Sequence, residues 1–206
     1  VIYNPAVADE LFAEMEPPPH PWFAAGAPPV VLGVGRLGDQ KDFSTLIRAF
    51  ALLAPKYPDL KLLILGEGRQ RAALERLVRK HGLEGRVSLP GYVPDPYPYM
   101  KRAALLAVTS RFEGFCLVVA EALACGCNVA ATDCRSGPSE ILDGGRYGYL
   151  AKVGDAEDVA RAMEAALARP LPPEELKKRA MRFSDRRAVE EYERLFGELM
   201  APGGLL

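Results

Sequence analysis

The segment that decides the fold is Ser110–Glu140, with the sequence SRFEGFCLVVAEALACGCNVAATDCRSGPSE. It contains an apolar helix pattern over Gly114–Ala124, followed by Val129–Thr132, a short apolar run typical of a buried parallel strand. A glycine turn and a further helix, Ser136–Leu142, come directly after that run. Strand–helix units joined in this way predict a parallel sheet.

The same alternation continues on both sides of this segment. The predicted strands are Val30–Val34, Leu60–Leu65, Arg86–Leu89, Leu105–Thr109, Val129–Thr132 and Tyr149–Ala151. The helices outside the opening segment are predicted at Phe43–Leu53, Arg69–His81, Tyr99–Arg102, 154–168, Glu174–Arg182 and Ser184–Met200. This order predicts an α/β, Rossmann-like, doubly wound parallel sheet of about six strands, with extra C-terminal helices.

Length and charge exclude several classes of protein. The 206 residues suffice for one sizeable domain, and the net charge of −1 predicts no general attraction to nucleic acid or to anionic membranes. No apolar run approaches the roughly 20 residues of a membrane span. The four cysteines lack paired C-x-x-C spacing, so we expect buried thiols of a reducing cytoplasm and no metal site.

Residues 1–29 are predicted to form an irregular linker arm. Its proline clusters, Pro17–Pro19 and Pro28–Pro29, exclude helix interior and central strand, and a short helix is expected only near Asp9–Met15. The chain starts with Val1 and without a basic-plus-apolar leader, so we expect a fragment whose arm comes from a missing N-terminal domain. Residues 30–206 would then form the ordered domain.

The glycine-rich turn after the first strand has two interpretations. Gly33, Gly35 and Gly38 match the dinucleotide fingerprint, which suggests an NAD(P)-dependent oxidoreductase domain. The expected acidic residue about 20 positions later is missing, because Glu67 lies 29 positions after Gly38. The other interpretation is a diphosphate clamp, in which Arg36 and Lys41 neutralise phosphate oxygens at the carboxyl end of a strand.

Two glutamates flank the start of the predicted Gly114–Ala124 helix. On one helix, eight positions separate Glu113 from Glu121 by about 80° around the axis and about 12 Å along it. This spacing suits two contacts along an extended ligand better than one acid–base pair. Backbone amides of Phe115–Leu117 could hold a phosphate at the helix N-terminus. The alternative for Glu121 is a position on the solvent face of the helix.

An ordered set of motifs now resembles a known family, the group 1 retaining glycosyltransferases of GT-B fold. The motifs are Gly35-Arg36-Leu37, Gln40-Lys41-Asp42, Gly66-Glu67-Gly68, Glu113-x7-Glu121, Ala124-Cys125-Gly126 and Ser136-Gly137-Pro138-x-Glu140. The resemblance covers nearly the whole chain from Val30 and places it in the C-terminal, donor-binding half of the GT-B fold. It also implies that the Ser184–Met200 helix crosses back toward the N-terminal domain, with the crossing segment at 184–200.

The resemblance implies roles for individual residues. Arg36 and Lys41 would stabilise the donor diphosphate and Glu113 would hold the sugar hydroxyls, which makes these three the catalytic set. Glu121 would bind the ribose hydroxyls, and the loop at Gly91–Val93 would lie beside the base. The full donor-binding set is Gly35, Arg36, Lys41, Gly66, Glu67, Gly68, Tyr92, Val93, Glu113, Gly114, Phe115, Cys116, Leu117 and Glu121.

The resemblance also implies the reaction and its partners. The expected donor is a nucleotide diphosphate sugar, with UDP-sugars favoured, and neither metal nor cofactor is expected. A glycan or lipid-linked acceptor in polysaccharide or glycoconjugate synthesis would bind through the missing domain, which could also contact the inner membrane face. The fragment alone is then expected to be inactive, and a non-catalytic nucleotide-sugar-binding module remains an alternative. Cys116 replaces the Gly or Pro of many relatives, which leaves the shape of the sugar pocket open.

Overall fold

The computed structural model describes residues 2–200, and its centre is a six-stranded parallel sheet. The strands are β1 (Val30–Val34), β2 (Lys61–Leu65), β3 (Val87–Gly91), β4 (Leu105–Val108), β5 (Val129–Thr132) and β6 (Tyr149–Ala151). They lie in the order β3-β2-β1-β4-β5-β6. The order reverses between β1 and β4, so the loops after these two strands diverge and leave a crevice at the carboxyl edge.

Helices cover both faces of the sheet. They are α1 (Phe43–Leu53), α2 (Arg71–Lys80), α3 (Tyr97–Arg102), α4 (Leu117–Ala124), α5 (Pro138–Ile141), α6 (Ala156–Ala168), α7 (Pro173–Ala180) and α8 (Asp185–Met200). Helices α1, α2 and α6 pack on one face, and α3, α4, α5 and α7 pack on the other. The predicted doubly wound α/β fold is therefore confirmed, including the strand at Tyr149–Ala151.

The apolar strands divide their side chains between two cores. In β1, Val31 packs with α1 and α2, whereas Val30 and Leu32 pack on the side of α3 and α4. The division follows from the two-residue period of a strand, and both faces are dry because helices cover both. This explains why the strands are continuous apolar runs and do not alternate with polar residues.

The N-terminal arm packs closely on the domain. Val7 is buried and pairs with Ser184, and the N–H groups of Ala6 and Val7 donate to Phe183 O at 2.9 and 3.1 Å. The expected helix near Asp9–Met15 is shorter in the structure, a single 3-10 turn at Asp9–Phe12. Its N-terminus has no side-chain cap, and a helix this short gains little from propensity alone. A connection to a further domain stays a prediction.

Helix α8 begins as predicted, because Ser184 Oγ accepts a hydrogen bond from Arg187 N at 3.2 Å. Ala188 is buried, whereas Val189, Tyr192 and Phe196 are exposed. Its crossing to another domain stays a prediction. None of the helices between residues 2 and 200 has both the length and the apolarity to cross a membrane.

Candidate functional site

Three adjoining cavities lie at the carboxyl edge of β1, β2, β3 and β4. The first, about 470 Å³, is lined by Val34, Gly35, Arg36, Leu65, Gly66, Glu67, Tyr92, Val93, Pro94 and Pro96. The second, about 560 Å³, is lined by Arg36, Leu37, Gly38, Asp39, Gln40, Lys41, Arg69 and Phe112. The third, about 490 Å³, is lined by Asn4, Val34, Gly35, Lys41, Glu113, Phe115, Cys116, Leu117, Val118 and Glu121. Arg36 and Lys41 border two cavities each, so one extended ligand could occupy all three.

The floor of the first cavity is formed by glycines. A Cβ atom at Gly66 would lie 1.9 Å from Gly35 O, and Gly66 has a φ of +145°. Leu37 N donates to Glu67 O at 2.9 Å and ties the turn after β1 to the turn after β2. Gly68 lies against Leu37 and does not line the three cavities. The turn after β2 can therefore approach the turn after β1 closely, and this leaves room for a flat ligand above the two turns.

The N-terminus of α1 is already occupied by a carboxylate. Asp42 adopts a left-handed conformation, is 3% exposed, and accepts a hydrogen bond from Thr45 N at 3.3 Å. Arg111 Nε donates to Asp42 Oδ2 at 3.1 Å, and Thr109 Oγ1 lies 2.9 Å from Lys41 O. A dinucleotide site needs this helix end for its pyrophosphate. The arrangement therefore disfavours the oxidoreductase alternative.

Lys41 and Glu113 form an ion pair across the β1–β4 crevice. Lys41 Nζ lies 2.6 Å from Glu113 Oε1, and the two side chains are 19% and 8% exposed. Ser110 Oγ donates to the same oxygen at 2.6 Å, and Gln40 Nε2 approaches Oε2 at 3.4 Å. The methylenes of Lys41 lie on Gly35, where an added Cβ would stand 2.9 Å from Cε. The fold thus brings together two residues that are 72 positions apart in sequence.

The loop after Glu113 differs from the sequence prediction. Helix α4 begins at Leu117, not at Gly114, because Cys116 has a left-handed φ of 67°. Gly137 packs against this loop so closely that a Cβ there would lie 2.4 Å from Phe115 O. Gly114 is exposed in the loop and lines none of the three cavities.

Cys116 lies inside the third cavity wall and is not a reactive thiol. Burial raises its pKa to about 12, and the charge of Glu113 adds to this effect. The thiol therefore stays protonated at neutral pH. The N–H groups of Leu117 and Val118 have no hydrogen-bond acceptor among residues 2–200, so they are available to an anion at the start of α4.

Glu121 is half-buried and faces the same cavity as Lys41 and Glu113. Burial raises the pKa of its carboxyl, and a hydrogen bond from Tyr97 partly opposes this shift. Tyr97 Oη lies 3.4 Å from Glu121 Oε1. The solvent-face alternative for Glu121 is therefore disfavoured, and among residues 2–200 the carboxylate has no strong partner of its own.

The opposite end of the crevice is less polar. Tyr92 is 73% exposed at its rim, with Val93, Pro94 and Pro96 beside it. Glu67 is held by Arg71, whose Nη2 and Nε donate to its two oxygens at 2.6 and 2.9 Å. These hydrogen bonds lower the pKa of Glu67.

Three polar side chains that contact Glu113 or Glu121 were not predicted from the sequence, namely Gln40, Ser110 and Tyr97. Ser110 comes two residues after β4 and Gln40 comes just before Lys41, so both stand at the carboxyl edge that the strand pattern predicts. Tyr97 gave no such signal, since it lies on α3 and reaches Glu121 only through packing. Across the described chain, no three His, Cys, Asp or Glu residues cluster closely enough to hold a metal ion.

Comparison with known proteins identifies relatives of this chain. The family described as "Glycosyl transferases group 1" matches residues 20–183. The N-acetylgalactosamine-N,N'-diacetylbacillosaminyl-diphospho-undecaprenol 4-alpha-N-acetylgalactosaminyltransferase of Campylobacter jejuni is 39% identical over 137 residues, which is 66% of this chain and 37% of that protein. The lipopolysaccharide core biosynthesis glycosyltransferase LpsE of Rhizobium meliloti is 35% identical over 140 residues, or 68% and 40%. The chain thus spans well under half the length of these curated relatives.

Solved structures agree with the sequence comparisons. The lipopolysaccharide outer core galactosyltransferase WaaB, in its apo form, matches with a TM-score of 0.78 and 26% identity, over 97% of this chain and 56% of that one. A mutant TarM of S. aureus, in complex with fondaparinux, alpha-GlcNAc-glycerol and UDP, matches with a TM-score of 0.73 and 25% identity, over 82% and 35%. The expected Rossmann-like half of a GT-B fold is confirmed. The chain belongs to the group 1 glycosyltransferase family.

Proposed function

We propose that this chain is the donor-binding domain of a retaining hexosyltransferase that uses a nucleotide diphosphate sugar, with UDP as the nucleotide. The observation that carries the proposal is the Lys41–Glu113 pair, which lies over Gly35 and shares a cavity with Glu121. One crevice is therefore lined by the cation of Lys41, the sugar-binding carboxylate of Glu113 and the ribose-binding carboxylate of Glu121. The acceptor is a glycan or a lipid-linked glycan, bound mainly by the part of the relatives' length that this chain does not span.

The first cavity fits the base, and the ribose fits where this cavity adjoins the third one, at Val34 and Gly35. Val93, Pro94 and Pro96 offer apolar walls, and the glycine floor at Gly66 lets a flat ring approach the backbone. Glu121 accepts hydrogen bonds from the ribose hydroxyls. Such bonds compensate the burial that raises its pKa.

The junction of the three cavities fits the diphosphate. Arg36 lies between the first and second cavities and forms no ion pair with any residue from 2 to 200. Lys41 lies between the second and third cavities. With the free N–H groups of Leu117 and Val118, they surround the position where negative charge develops as the glycosidic bond breaks.

Glu113 orients the sugar. Among the described residues, its Oε2 has only the long contact from Gln40, so this oxygen can accept a hydrogen bond from a sugar hydroxyl. Alpha linkages occur in two of the comparisons. The name of the C. jejuni transferase specifies an alpha linkage, and the TarM structure holds alpha-GlcNAc-glycerol. Transfer from an alpha-linked donor with retention gives such products, which supports the retaining assignment.

We place the reaction in the cytoplasm. The four cysteines, Cys116, Cys125, Cys127 and Cys134, are all free and buried, as in proteins of a reducing compartment.

Calorimetry on the chain tests the proposal. UDP is expected to bind, GDP and ADP more weakly, and UDP-sugars at least as tightly as UDP. Arg36→Ala is expected to weaken UDP binding by about ten- to a hundredfold, because a hydrogen bond to a charged group contributes roughly 1.5–3 kcal/mol. The matched control is Arg76→Ala on α2, an exposed arginine that lines none of the three cavities. Folded protein that binds none of these nucleotides would contradict the proposal.

A further inference from the structure

The Glu113 carboxylate is held by side chains of the protein itself. Oε1 accepts from Lys41 Nζ and from Ser110 Oγ, each at 2.6 Å, and Oε2 accepts from Gln40 Nε2 at 3.4 Å. Ser110 is fully buried, and the Glu113 side chain is 8% exposed. Glu113 is thus fixed against Lys41 and is largely shielded from water.

The backbone around the pair leaves it little freedom to separate. Ser110 O accepts from Thr132 Oγ1 at 2.6 Å, and Glu113 O accepts from Ser136 Oγ at 2.6 Å. On the other side, Arg111 N donates to Gln40 O at 2.8 Å, which ties the loop of Glu113 to the loop of Lys41. A diphosphate that reaches Lys41 therefore arrives beside a carboxylate that cannot move far away.

We infer that Glu113 is the counter-ion that makes this site prefer the sugar-bearing donor over the free nucleotide diphosphate. The inference rests on the proposed function and adds to it a determinant of specificity. Because Glu113 is ion-paired with Lys41, a diphosphate that binds Lys41 must break this ion pair.

The free-energy cost of breaking the Lys41–Glu113 ion pair differs between the sugar donor and the free nucleotide diphosphate. When UDP takes Lys41, Glu113 is left shielded from water, near a like charge, with only Ser110 and Gln40 as donors. When a UDP-sugar binds, hydroxyl groups of the sugar donate to Glu113 and replace the lost lysine. Free UDP is penalised more strongly, which favours release of the product after transfer.

The test is calorimetry of the wild type and Glu113→Gln with UDP and with UDP-galactose, UDP-N-acetylgalactosamine and UDP-N-acetylglucosamine. Glutamine keeps the shape and an oxygen acceptor for Ser110, but it removes the charge that holds Lys41. Glu113→Gln is expected to bind UDP about tenfold more tightly than the wild type. Its affinity for the UDP-sugar should rise less, so the ratio of donor to product affinity falls.

The matched control is Glu164→Gln. Glu164 is also paired with a lysine, Lys56, but it lies on α6 and lines none of the three cavities. This variant should bind UDP as the wild type does. Equal tightening in both variants would reflect net charge alone and would overturn the inference.

The outcomes separate the two proposals. A wild type that binds no UDP overturns the proposed function and this inference together. A wild type that binds UDP, with a Glu113→Gln variant that binds it equally or more weakly, overturns the inference alone.

A second measurement covers the case in which Glu113→Gln folds poorly. Urea denaturation of Lys41→Met, Glu113→Gln and the double variant forms a cycle on the free protein. The double variant is expected to lose less stability than the sum of the single losses, because neither partner is then left alone. Strictly additive losses would show that the pair is not coupled in the free protein, and the inference would fail.

Discussion

Replacing Gly66 by alanine is expected to damage both the fold and the site. The new Cβ would lie 1.9 Å from Gly35 O, well inside contact distance, and the backbone has a φ of +145° there. This region of the backbone map is essentially restricted to glycine, and occupying it with another residue costs about 1–3 kcal/mol. Forcing an added methyl into a close-packed position costs about 1–3 kcal/mol more.

The two effects together predict a loss of about 4 kcal/mol in the free energy of unfolding. For a domain of this size, that corresponds to a decrease of roughly 10 °C in melting temperature. The turn after β2 must also move away from the turn after β1, because the added methyl would clash with the backbone oxygen of Gly35, which cannot rotate away as a flexible side chain could. UDP affinity of the folded fraction is therefore expected to fall as well.

The assay is thermal and urea denaturation of Gly66→Ala beside Gly38→Ala. Gly38 belongs to the same glycine-rich edge, but nothing lies within 4 Å of an added Cβ and its φ is not positive. Alanine there is expected to be neutral or to stabilise by about 0.4–1 kcal/mol, through the unfolded state. Equal stability of the two variants would refute the reasoning about the glycine floor.

Two further predictions concern buried carboxylates. Glu121→Gln should weaken UDP binding and leave the melting temperature unchanged or slightly raised, since burial raises the pKa of Glu121 and its charged form is disfavoured in the free protein. The UDP affinities of the wild type and of Glu121→Gln are measured from pH 8 to pH 5. The wild-type affinity should fall more than that of the variant, because Glu121 is protonated above its ordinary pKa of 4.5. Parallel pH curves for the two proteins would argue against a ribose contact. Asp42→Ala should lower the free energy of unfolding by about 2–3 kcal/mol, from a lost helix cap and a left-handed backbone. Asp155→Ala, which removes an ordinary cap, should cost about 1 kcal/mol, and similar urea midpoints for the two variants would contradict this account.

The elements of the sheet could be predicted because their signals are local. Continuous apolar runs such as Val30–Val34 indicated strands covered on both faces, and Asp42 and Ser184 indicated helix starts that the structure confirms. The boundary at Gly114 could not be predicted, because α4 begins only after the left-handed Cys116, which packing of Gly137 against Phe115 fixes in place.

By itself the sequence determined the fold class, the sheet edge at which a ligand is expected and the residue types gathered there. Those follow from periodicity and from the rule that all parallel strands end at one edge. Only the tertiary structure decided that Lys41 holds one oxygen of Glu113, that Glu67 is held by Arg71, and that Glu121 faces the crevice. Each of these depends on distances between loops from different strands, which strand order and packing set and which no local pattern encodes. The two glutamates of Ser110–Glu140 therefore acquire different surroundings despite lying eight positions apart: Glu113 is ionically paired, whereas Glu121 has no strong partner in the part of the chain that the structure describes.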